Sequence, residues 1–180
     1  MGYENVILVD QHDNMLGTME KIAAHRAGKL HRAISVFVFN TKGELLLQQR
    51  AEHKYHSGGK WSNTCCSHPR LGENILDAAK RRLKEEMGLE CQLDSAFSFI
   101  YNVDLDNGLS EHEYDHVYVG VTDMEPQPDE VEVAGFTYLP LNKTESDLFQ
   151  NPDKYTIWFR ICFDRIAKVY NQLLKNGAFA

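Results

Sequence analysis

Two glutamates in one expected strand are placed to hold a cation. The triplet Glu111-His112-Glu113 lies in the run from Ser110 to Thr122, whose composition is typical of a β-strand. Alternation along a strand puts Glu111 and Glu113 side by side on one face, with His112 on the other. Two like charges so close repel each other unless water or a cation screens them. The pair therefore indicates either a solvated sheet edge or part of a metal site.

Three histidines elsewhere in the chain are candidates for the rest of such a site: His25, His31 and His68. Three imidazoles and two carboxylates suit a borderline divalent ion such as Mn²⁺, Zn²⁺, Fe²⁺ or Mg²⁺ with five or six ligands. Spacing along the chain does not establish that these side chains meet. A single histidine is more often structural than metal-binding, so both interpretations stay open at this point.

A pair of adjacent cysteines, Cys65 and Cys66, lies just before His68. A thiol beside a cation has a lowered pKa, so Cys66 near His68 could be an activated thiol; a buried, inert cysteine is the alternative. The four cysteines have no spacing typical of a disulfide framework, and we therefore expect them to be reduced. Reduced cysteines, and an N-terminus too polar for a signal peptide, predict a cytoplasmic protein.

The segment after the cysteines predicts an amphipathic helix from Ile75 to Met87. Apolar residues recur on it every four positions, and Gly88 is a natural helix end. Two Arg–Glu pairs one helical turn apart lie on this helix, Arg81 with Glu85 and Arg82 with Glu86. For the helix taken alone, surface ion pairs are the simpler interpretation. The reactive residues just before the helix favour a functional role for these pairs instead.

Strands precede and follow this helix, and a second long helix closes the chain. Strand patterns cover residues 5–10, 33–40, 44–50, 96–105, 110–122 and 131–139, and helical patterns cover 19–27, 75–87, 146–150 and 157–175. This order predicts an α+β layered domain. A length of 180 residues fits a single domain spanning residues 1–180.

Charge and hydropathy exclude two classes of partner. A net charge of −7 argues against a general nucleic-acid binder, because no basic excess is present to displace counterions from phosphates. No apolar run is long enough to span a membrane. Scattered basic residues can still hold a small phosphorylated ligand.

A longer motif ties the helix to the loop before it. The pattern Ser67-x5-Glu73-x7-Arg81-Arg82-Leu83-x-Glu85-Glu86-x-Gly88-Leu89 resembles the Nudix box, G-x5-E-x7-R-E-U-x-E-E-x-G-U, where U is aliphatic. Ser67 stands in place of the leading Gly, and Arg82 in place of the Glu after Arg. Nudix hydrolases use that Glu to hold the metals that activate water. Arg82 in this position should therefore abolish most diphosphatase activity, and its guanidinium could instead bind phosphate oxygens.

With this altered box the chain is similar to the type 1 isopentenyl-diphosphate isomerases, a branch of the Nudix superfamily. The similarity is carried by residues 16–25, 30–31 and 61–69 together with Arg50, Tyr101, Glu111, Glu113 and Trp158. The resemblance implies a Nudix-type mixed β-sheet layered between helices. It also implies a small-molecule C5 diphosphate as substrate, and we expect a monomer or weak homodimer.

The resemblance assigns roles to particular residues. A divalent ion, Mn²⁺ or a similar ion, would be bound by His25, His31, His68, Glu111 and Glu113. Glu86 would help to hold Mg²⁺ shared with the substrate diphosphate. That diphosphate would be gripped by Lys21, Arg50, Lys54 and Arg82. Cys66 and Glu113 would face each other across the substrate, with Tyr101 and Trp158 lining the pocket.

The implied reaction interconverts isopentenyl and dimethylallyl diphosphate, a step of isoprenoid biosynthesis. A proton is added at C4 and another is removed from C2, through a tertiary carbocation. Glu113 coupled to Tyr101 would handle one proton and Cys66 the other; which of them is the acid in the forward direction stays open. The alternatives are a Nudix diphosphohydrolase and a non-catalytic module with a structural metal site.

Overall fold

A computed structural model of the protein describes residues 4–179, apart from the side chain of Asp106; residues 1–3 and 180 of the expected domain lie outside this part. Within it a nine-stranded mixed sheet carries helices on both faces. The strands are β1 Asn5–Val9, β2 Met15–Glu20, β3 His31–Phe39, β4 Glu44–Arg50, β5 Trp61–Ser62, β6 Cys65–Ser67, β7 Asp94–Asp104, β8 Ser110–Val121 and β9 Val133–Pro140. The helices are α1 Lys21–Arg26, α2 Ile75–Met87, α3 Leu141–Gln150 and α4 Ile157–Lys175, with 3₁₀ turns at Asp106–Gly108 and Pro152–Lys154. The predicted α+β class is confirmed.

Strand β3 organises the sheet. It pairs in parallel with β8 over its whole length, and β8 pairs antiparallel with β7. On its other side β3 pairs with β6, where Ser35 lies opposite Cys66. Strands β6 and β8 therefore lie on the two sides of β3.

Strands β3 and β4 diverge soon after their shared turn. They pair with each other at Phe39 opposite Leu45. Farther from the turn each has a different partner: β3 pairs with β6, and β4 pairs with β5. The buried Thr64 bridges the gap, because its hydroxyl accepts a hydrogen bond from the Val38 N–H at 2.9 Å and donates one to the Leu46 carbonyl at 2.7 Å. These bonds satisfy backbone groups that would otherwise be buried without partners.

The alternation of side chains along β3 builds a core on each face. Phe37 and Phe39 pack toward α4, in a cluster that includes Phe159 and Ile166. The intervening residues of β3 pack with α2: Ile34, Val36 and Val38. The long apolar run of β3 is thus buried on both faces, as expected for a central strand.

The expected elements match the structure best where the periodicity is long. Residues 44–50, 75–87 and 157–175 have the predicted bounds. Residues 15–20 form β2, which pairs with β1, so the expected helix at 19–27 is shorter and begins at Lys21. Helix α3 begins five residues earlier than expected, at Leu141 rather than Ser146. No helix in the described part of the chain is long and apolar enough to cross a membrane.

Gly88 ends α2 in the left-handed conformation, as predicted, with φ of 66°. A Cβ on Gly88 would lie 2.6 Å from the Gln127 carbonyl oxygen, whereas one on Gly72, with φ of 77°, would meet nothing within 4 Å. We expect Gly72→Ala to cost about 1 kcal/mol from backbone strain. Gly88→Ala should cost at least about 1 kcal/mol more, because the Gln127 backbone must move. Urea unfolding of both variants measures the difference, and equal losses would contradict it.

Candidate active site

A cavity of about 350 Å³ opens beside the divergence of β3 and β4. Every site residue proposed from the sequence lines it except His25 and His31, which are buried behind it. The lining proposed from the sequence comprises Lys21, Arg50, Lys54, Cys66, His68, Arg82, Glu86, Tyr101, Glu111, Glu113 and Trp158. The structure therefore brings together residues that are scattered over most of the chain.

Four of the expected metal ligands converge at one point. One ligand atom from each of His25, His31, His68 and Glu113 lies within 4.8 Å of the others. The register explains part of this, since His31 begins β3 directly opposite Glu113 on the parallel strand β8. Helix α1 supplies His25.

Hydrogen bonds to the backbone orient two of these imidazoles. Nδ1 of His25 lies 2.6 Å from the Lys21 carbonyl, and Nδ1 of His31 lies 2.8 Å from the Lys29 carbonyl. A carbonyl only accepts, so each Nδ1 carries a proton, and in the neutral imidazole each Nε2 then presents a lone pair. This is the arrangement in which protein imidazoles bind metals.

The lone pairs of these imidazoles face carboxylate oxygens. His25 Nε2 lies 3.1 Å from Glu111 Oε2, and His31 Nε2 lies 3.6 Å from Glu113 Oε1. Both Nε2 atoms and Glu111 Oε2 are buried and have no hydrogen-bond partner among the described residues. Two lone pairs at this distance repel unless a cation lies between them. The donor set thus fits a divalent ion.

Burial and hydrogen bonding set the charges of the cluster. Burial opposes ionisation of Glu113, but the neighbouring imidazoles of His31 and His68 outweigh it and hold the pKa of Glu113 well below its usual value. Burial lowers the pKa of His68 to about 4, so His68 is neutral at pH 7. The buried phenol of Tyr101 donates to Glu113 Oε2 at 2.6 Å, and burial raises the pKa of Tyr101 well above its usual value.

A fourth histidine, His56, lies in the cluster, and the sequence did not suggest it. His56 Nε2 lies 3.2 Å from Glu111 Oε1, and His25, His56 and Glu111 form a second group of potential ligands. His56 lies in the loop between β4 and β5, which has no periodicity from which its direction could have been predicted.

Asp115 is a second residue that sequence reasoning missed. It is buried and accepts a hydrogen bond from the Ser35 hydroxyl at 2.8 Å. Burial, reinforced by the charge of Glu113, raises the pKa of Asp115 well above its usual value. The alternation that placed Glu111 and Glu113 on one face extends to residue 115, so this signal was present.

The two adjacent cysteines point in different directions. Cys65 is fully buried in the core against α2, whereas Cys66 lines the cavity. The Cys66 thiol donates to Asn63 Oδ1 at 2.9 Å, and the Asn63 amide nitrogen donates to the Val36 and Cys65 carbonyls, at 3.2 and 2.8 Å. The side-chain oxygen of Asn63 is therefore held toward the sulfur.

Of the two interpretations of Cys66, the surroundings of its sulfur favour a buried thiol over an activated one. Burial, together with the charges of the nearby Asp115 and Glu86, raises the pKa of Cys66 to about 12. His68, the residue expected to activate the thiol, is neutral and supplies no cation. Cys66 therefore carries its proton at pH 7.

Basic side chains form another part of the cavity wall. Arg82 donates to Glu86 Oε1 at 2.6 Å, and Lys21 lies 3.0 Å from Glu4. Lys54 pairs with Glu132. The Arg50 guanidinium lies 5.3 Å from the centre of the Trp158 ring. Nε of Arg50 and Nε of Arg82 are buried without a hydrogen-bond partner in residues 4–179.

The two Arg–Glu pairs on α2 serve different purposes. Arg81 turns away from the cavity and binds Glu73 through two hydrogen bonds of 2.7 and 2.8 Å, so this pair fastens the loop before the helix. Arg82 and Glu86 line the cavity instead. The surface interpretation holds for the pair of Arg81 with the half-exposed Glu85, and not for Arg82 with Glu86.

The lone-pair arrangement predicts stabilisation by divalent metal. An ion that binds only the folded state at 100 times its Kd adds about 2.7 kcal/mol, or a Tm shift of about 5–10 °C for a chain of this size. We expect Mn²⁺ to produce such a shift in thermal unfolding of the metal-free protein. His25→Ala should remove the shift, whereas His12→Ala, at an exposed position, should retain it. An unchanged Tm on adding Mn²⁺ would contradict a metal site.

Comparison with known proteins places the chain in a family. Residues 29–159 match the NUDIX domain. An isopentenyl-diphosphate Delta-isomerase of Pectobacterium atrosepticum is 53% identical over 166 residues, covering 92% of this chain and 93% of that protein. Isopentenyl-diphosphate Delta-isomerase 2 of Aromatoleum aromaticum is 50% identical over 163 residues, covering 91% of this chain and 86% of that protein.

Solved structures with the same fold are more distant in sequence. DR0079 from Deinococcus radiodurans has a TM-score of 0.69 at 19% identity, covering 82% of this chain and 90% of that one. A MutT protein from Methanosarcina mazei has a TM-score of 0.63 at 21% identity, covering 77% and 94%. These likenesses confirm the Nudix-type fold, and the sequence identities above show that the chain belongs to the isopentenyl-diphosphate Delta-isomerase family.

Proposed function

We propose that this protein interconverts isopentenyl diphosphate and dimethylallyl diphosphate in isoprenoid biosynthesis. The observation that carries the proposal is the placement of a thiol and a carboxylate in one cavity. Cys66 and Glu113 both line it, and their strands β6 and β8 lie on opposite sides of β3. Family membership, at about half the residues identical, supports the same activity.

The reaction needs two proton-transfer groups that face different carbons. Moving the double bond from C3–C4 to C2–C3 adds a proton at C4 and removes one from C2, so the atoms balance and no redox partner is required. Because an alkene is a weak base, the acid must be held close to the alkene carbon and shielded from water. Each turnover leaves the proton on the opposite group.

Cys66 and Glu113 are the proposed pair, each with a fixed hydrogen-bond partner. Tyr101 holds one oxygen of Glu113, and Asn63 holds the thiol of Cys66. These bonds restrict the rotation of both groups and aim them into the cavity. Which of the two groups is the acid in the forward direction depends on which of them is protonated when the substrate is bound.

The aromatic wall suits a cationic intermediate. Trp158 lines the cavity, and its Nε1 donates to Ser62 Oγ at 3.0 Å, so the ring has a defined orientation. A ring face stabilises a neighbouring cation by about 2 kcal/mol in a dry site. That is a small part of a typical enzymatic rate gain, about 8 kcal/mol or more. Positioning and acid strength must supply the remainder.

We propose two divalent ions. Mn²⁺ or a similar ion would be held by His25, His31, His68, Glu111 and Glu113, and Mg²⁺ would be held by Glu86 together with the substrate diphosphate. Bound there, the ions would supply charge neutralisation for the diphosphate and increase the acidity of neighbouring groups. The donor set described above supports the first site, and the buried Glu86 in the cavity wall supports the second.

We propose that the diphosphate is gripped by Lys21, Arg50, Lys54 and Arg82. All four line the cavity, and the unpartnered Nε–H groups of Arg50 and Arg82 are donors that phosphate oxygens can satisfy. Arg82 replaces a carboxylate of the Nudix box, which removes a ligand needed for metal-activated hydrolysis.

The substrate assay tests the function directly. The purified protein, incubated with Mg²⁺, Mn²⁺ and isopentenyl diphosphate, should form dimethylallyl diphosphate and approach the same product ratio from either side. We expect no release of phosphate, because no residue of the proposed site replaces the missing Nudix carboxylate. Product analysis by NMR would decide against the proposal if phosphate or monophosphate appeared without dimethylallyl diphosphate.

Removing either proposed proton-transfer group should abolish turnover without unfolding the protein. We expect Cys66→Ala and Glu113→Gln each to lower kcat by at least about 10³-fold, given typical contributions of acid–base groups. Cys65→Ala is the matched control: Cys65 packs in the core, so this variant should lose some stability and keep its kcat. Circular dichroism verifies the fold. Inactivity of Cys65→Ala beside an active Cys66→Ala would reverse the assignment.

A further inference from the structure

We propose that His56 is a positioning residue of the metal centre, holding the carboxylate of Glu111 so that one oxygen faces the ion. The inference rests on the metal-binding role proposed for the histidine–glutamate cluster. It adds a residue from the loop between β4 and β5, which neither the Nudix box nor the expected ligand set includes.

The tautomer of His56 follows from its two polar neighbours. His56 Nε2 lies 3.2 Å from Glu111 Oε1, and His56 Nδ1 lies 3.4 Å from the Ser57 hydroxyl. An ionised carboxylate only accepts, whereas a hydroxyl can donate. With its proton on Nε2, His56 places an N–H 3.2 Å from Glu111 Oε1 and can accept from Ser57 through Nδ1.

The two oxygens of Glu111 consequently have different surroundings. Oε1 lies 3.2 Å from His56 Nε2, and Oε2 lies 3.1 Å from Nε2 of His25. An ion bound between His25 and Glu111 would use Oε2. His56 thus selects which oxygen is available and fixes the rotation of the carboxylate before an ion arrives.

Burial makes this contact important. Glu111 is 4% exposed and His56 is 7% exposed, so water has little access to Oε1. Without the imidazole, Oε1 would be a buried charged acceptor lacking a partner, and the carboxylate would be free to turn away. Hydrogen-bond partners of metal ligands typically contribute 10–100-fold to metal affinity.

His56 is itself held in place by the cavity wall. Its ring lies edge-on to Tyr55, with centroids 4.3 Å apart, and edge-on to Trp158 at 5.7 Å. Its backbone carbonyl accepts a hydrogen bond from Arg50 at 3.5 Å. The residue therefore connects the metal cluster to the aromatic and basic walls of the cavity.

Two substitutions separate positioning from direct metal binding. His56→Ala removes the donor. His56→Gln keeps an N–H close to the position of Nε2, but an amide nitrogen is no metal ligand. His53→Ala, three residues earlier at an exposed position, is the control. Mn²⁺ affinity of each metal-free protein is measured by isothermal titration calorimetry, with circular dichroism to verify folding.

We expect His56→Ala to weaken Mn²⁺ binding by 10–100-fold, with His56→Gln within a few-fold of the unaltered protein and His53→Ala unchanged. In kinetics, His56→Ala should need more Mn²⁺ for half-maximal rate, and saturating Mn²⁺ should restore most of kcat with the KM for isopentenyl diphosphate unchanged. These results support the proposal.

Unaltered Mn²⁺ affinity in His56→Ala would overturn it. Equal weakening in His56→Ala and His56→Gln would also overturn it, because that pattern indicates direct ligation. Absence of Mn²⁺ binding by the unaltered protein would overturn the metal centre itself, and this role with it. Inactivity of that protein despite normal Mn²⁺ binding would reject the isomerase proposal while leaving the role of His56 standing.

Discussion

The divergence of β3 and β4 is the constraint on which the rest of the structure depends. Two neighbouring strands that separate leave backbone N–H and C=O groups without partners, and a buried gap of this kind is costly unless it is filled. Thr64 fills it with one hydroxyl that bonds both strands, and Asn63 bonds two further carbonyls. The same short segment places Cys66 at the cavity wall. The same segment therefore satisfies the backbone groups of the separated strands and positions a residue of the candidate active site.

Electrostatics divides the cavity into zones. One wall concentrates carboxylates and imidazoles whose lone pairs face one another, and this arrangement is stable only with a cation or protons between them. Another wall carries arginines and lysines, each near a glutamate or an aromatic ring. A diphosphate bound here would exchange places with carboxylates that already neutralise these cations. Three of these cations, Lys21, Lys54 and Arg82, lie beside glutamates, so the proposed diphosphate would compete with those carboxylates, whereas Arg50 faces the Trp158 ring.

The replacement of one Nudix carboxylate by Arg82 shows how a shared fold accommodates different chemistry. Arg82 occupies the face of α2 that points into the cavity, next to Glu86, so a cation stands where the Nudix box has a carboxylate. Arg81 and Glu73 keep a purely structural bond on the other side of the helix. A shared fold does not by itself determine which reactive groups line the cavity.

The sequence alone determined the bounds of the elements at residues 44–50, 75–87 and 157–175 and the end of α2 at Gly88. It also determined the common face of Glu111 and Glu113. The residues that gather in the cavity were predicted by resemblance. These features depend on local geometry or on motifs within short stretches. Alternation already put Asp115 on the face of Glu113, but tertiary structure alone decided that His56 reaches Glu111, that Asp115 bonds Ser35, and that the Cys66 thiol is buried and protonated. Each of these depends on solvent exclusion and on neighbours distant in sequence, and pattern along the chain carries neither kind of information.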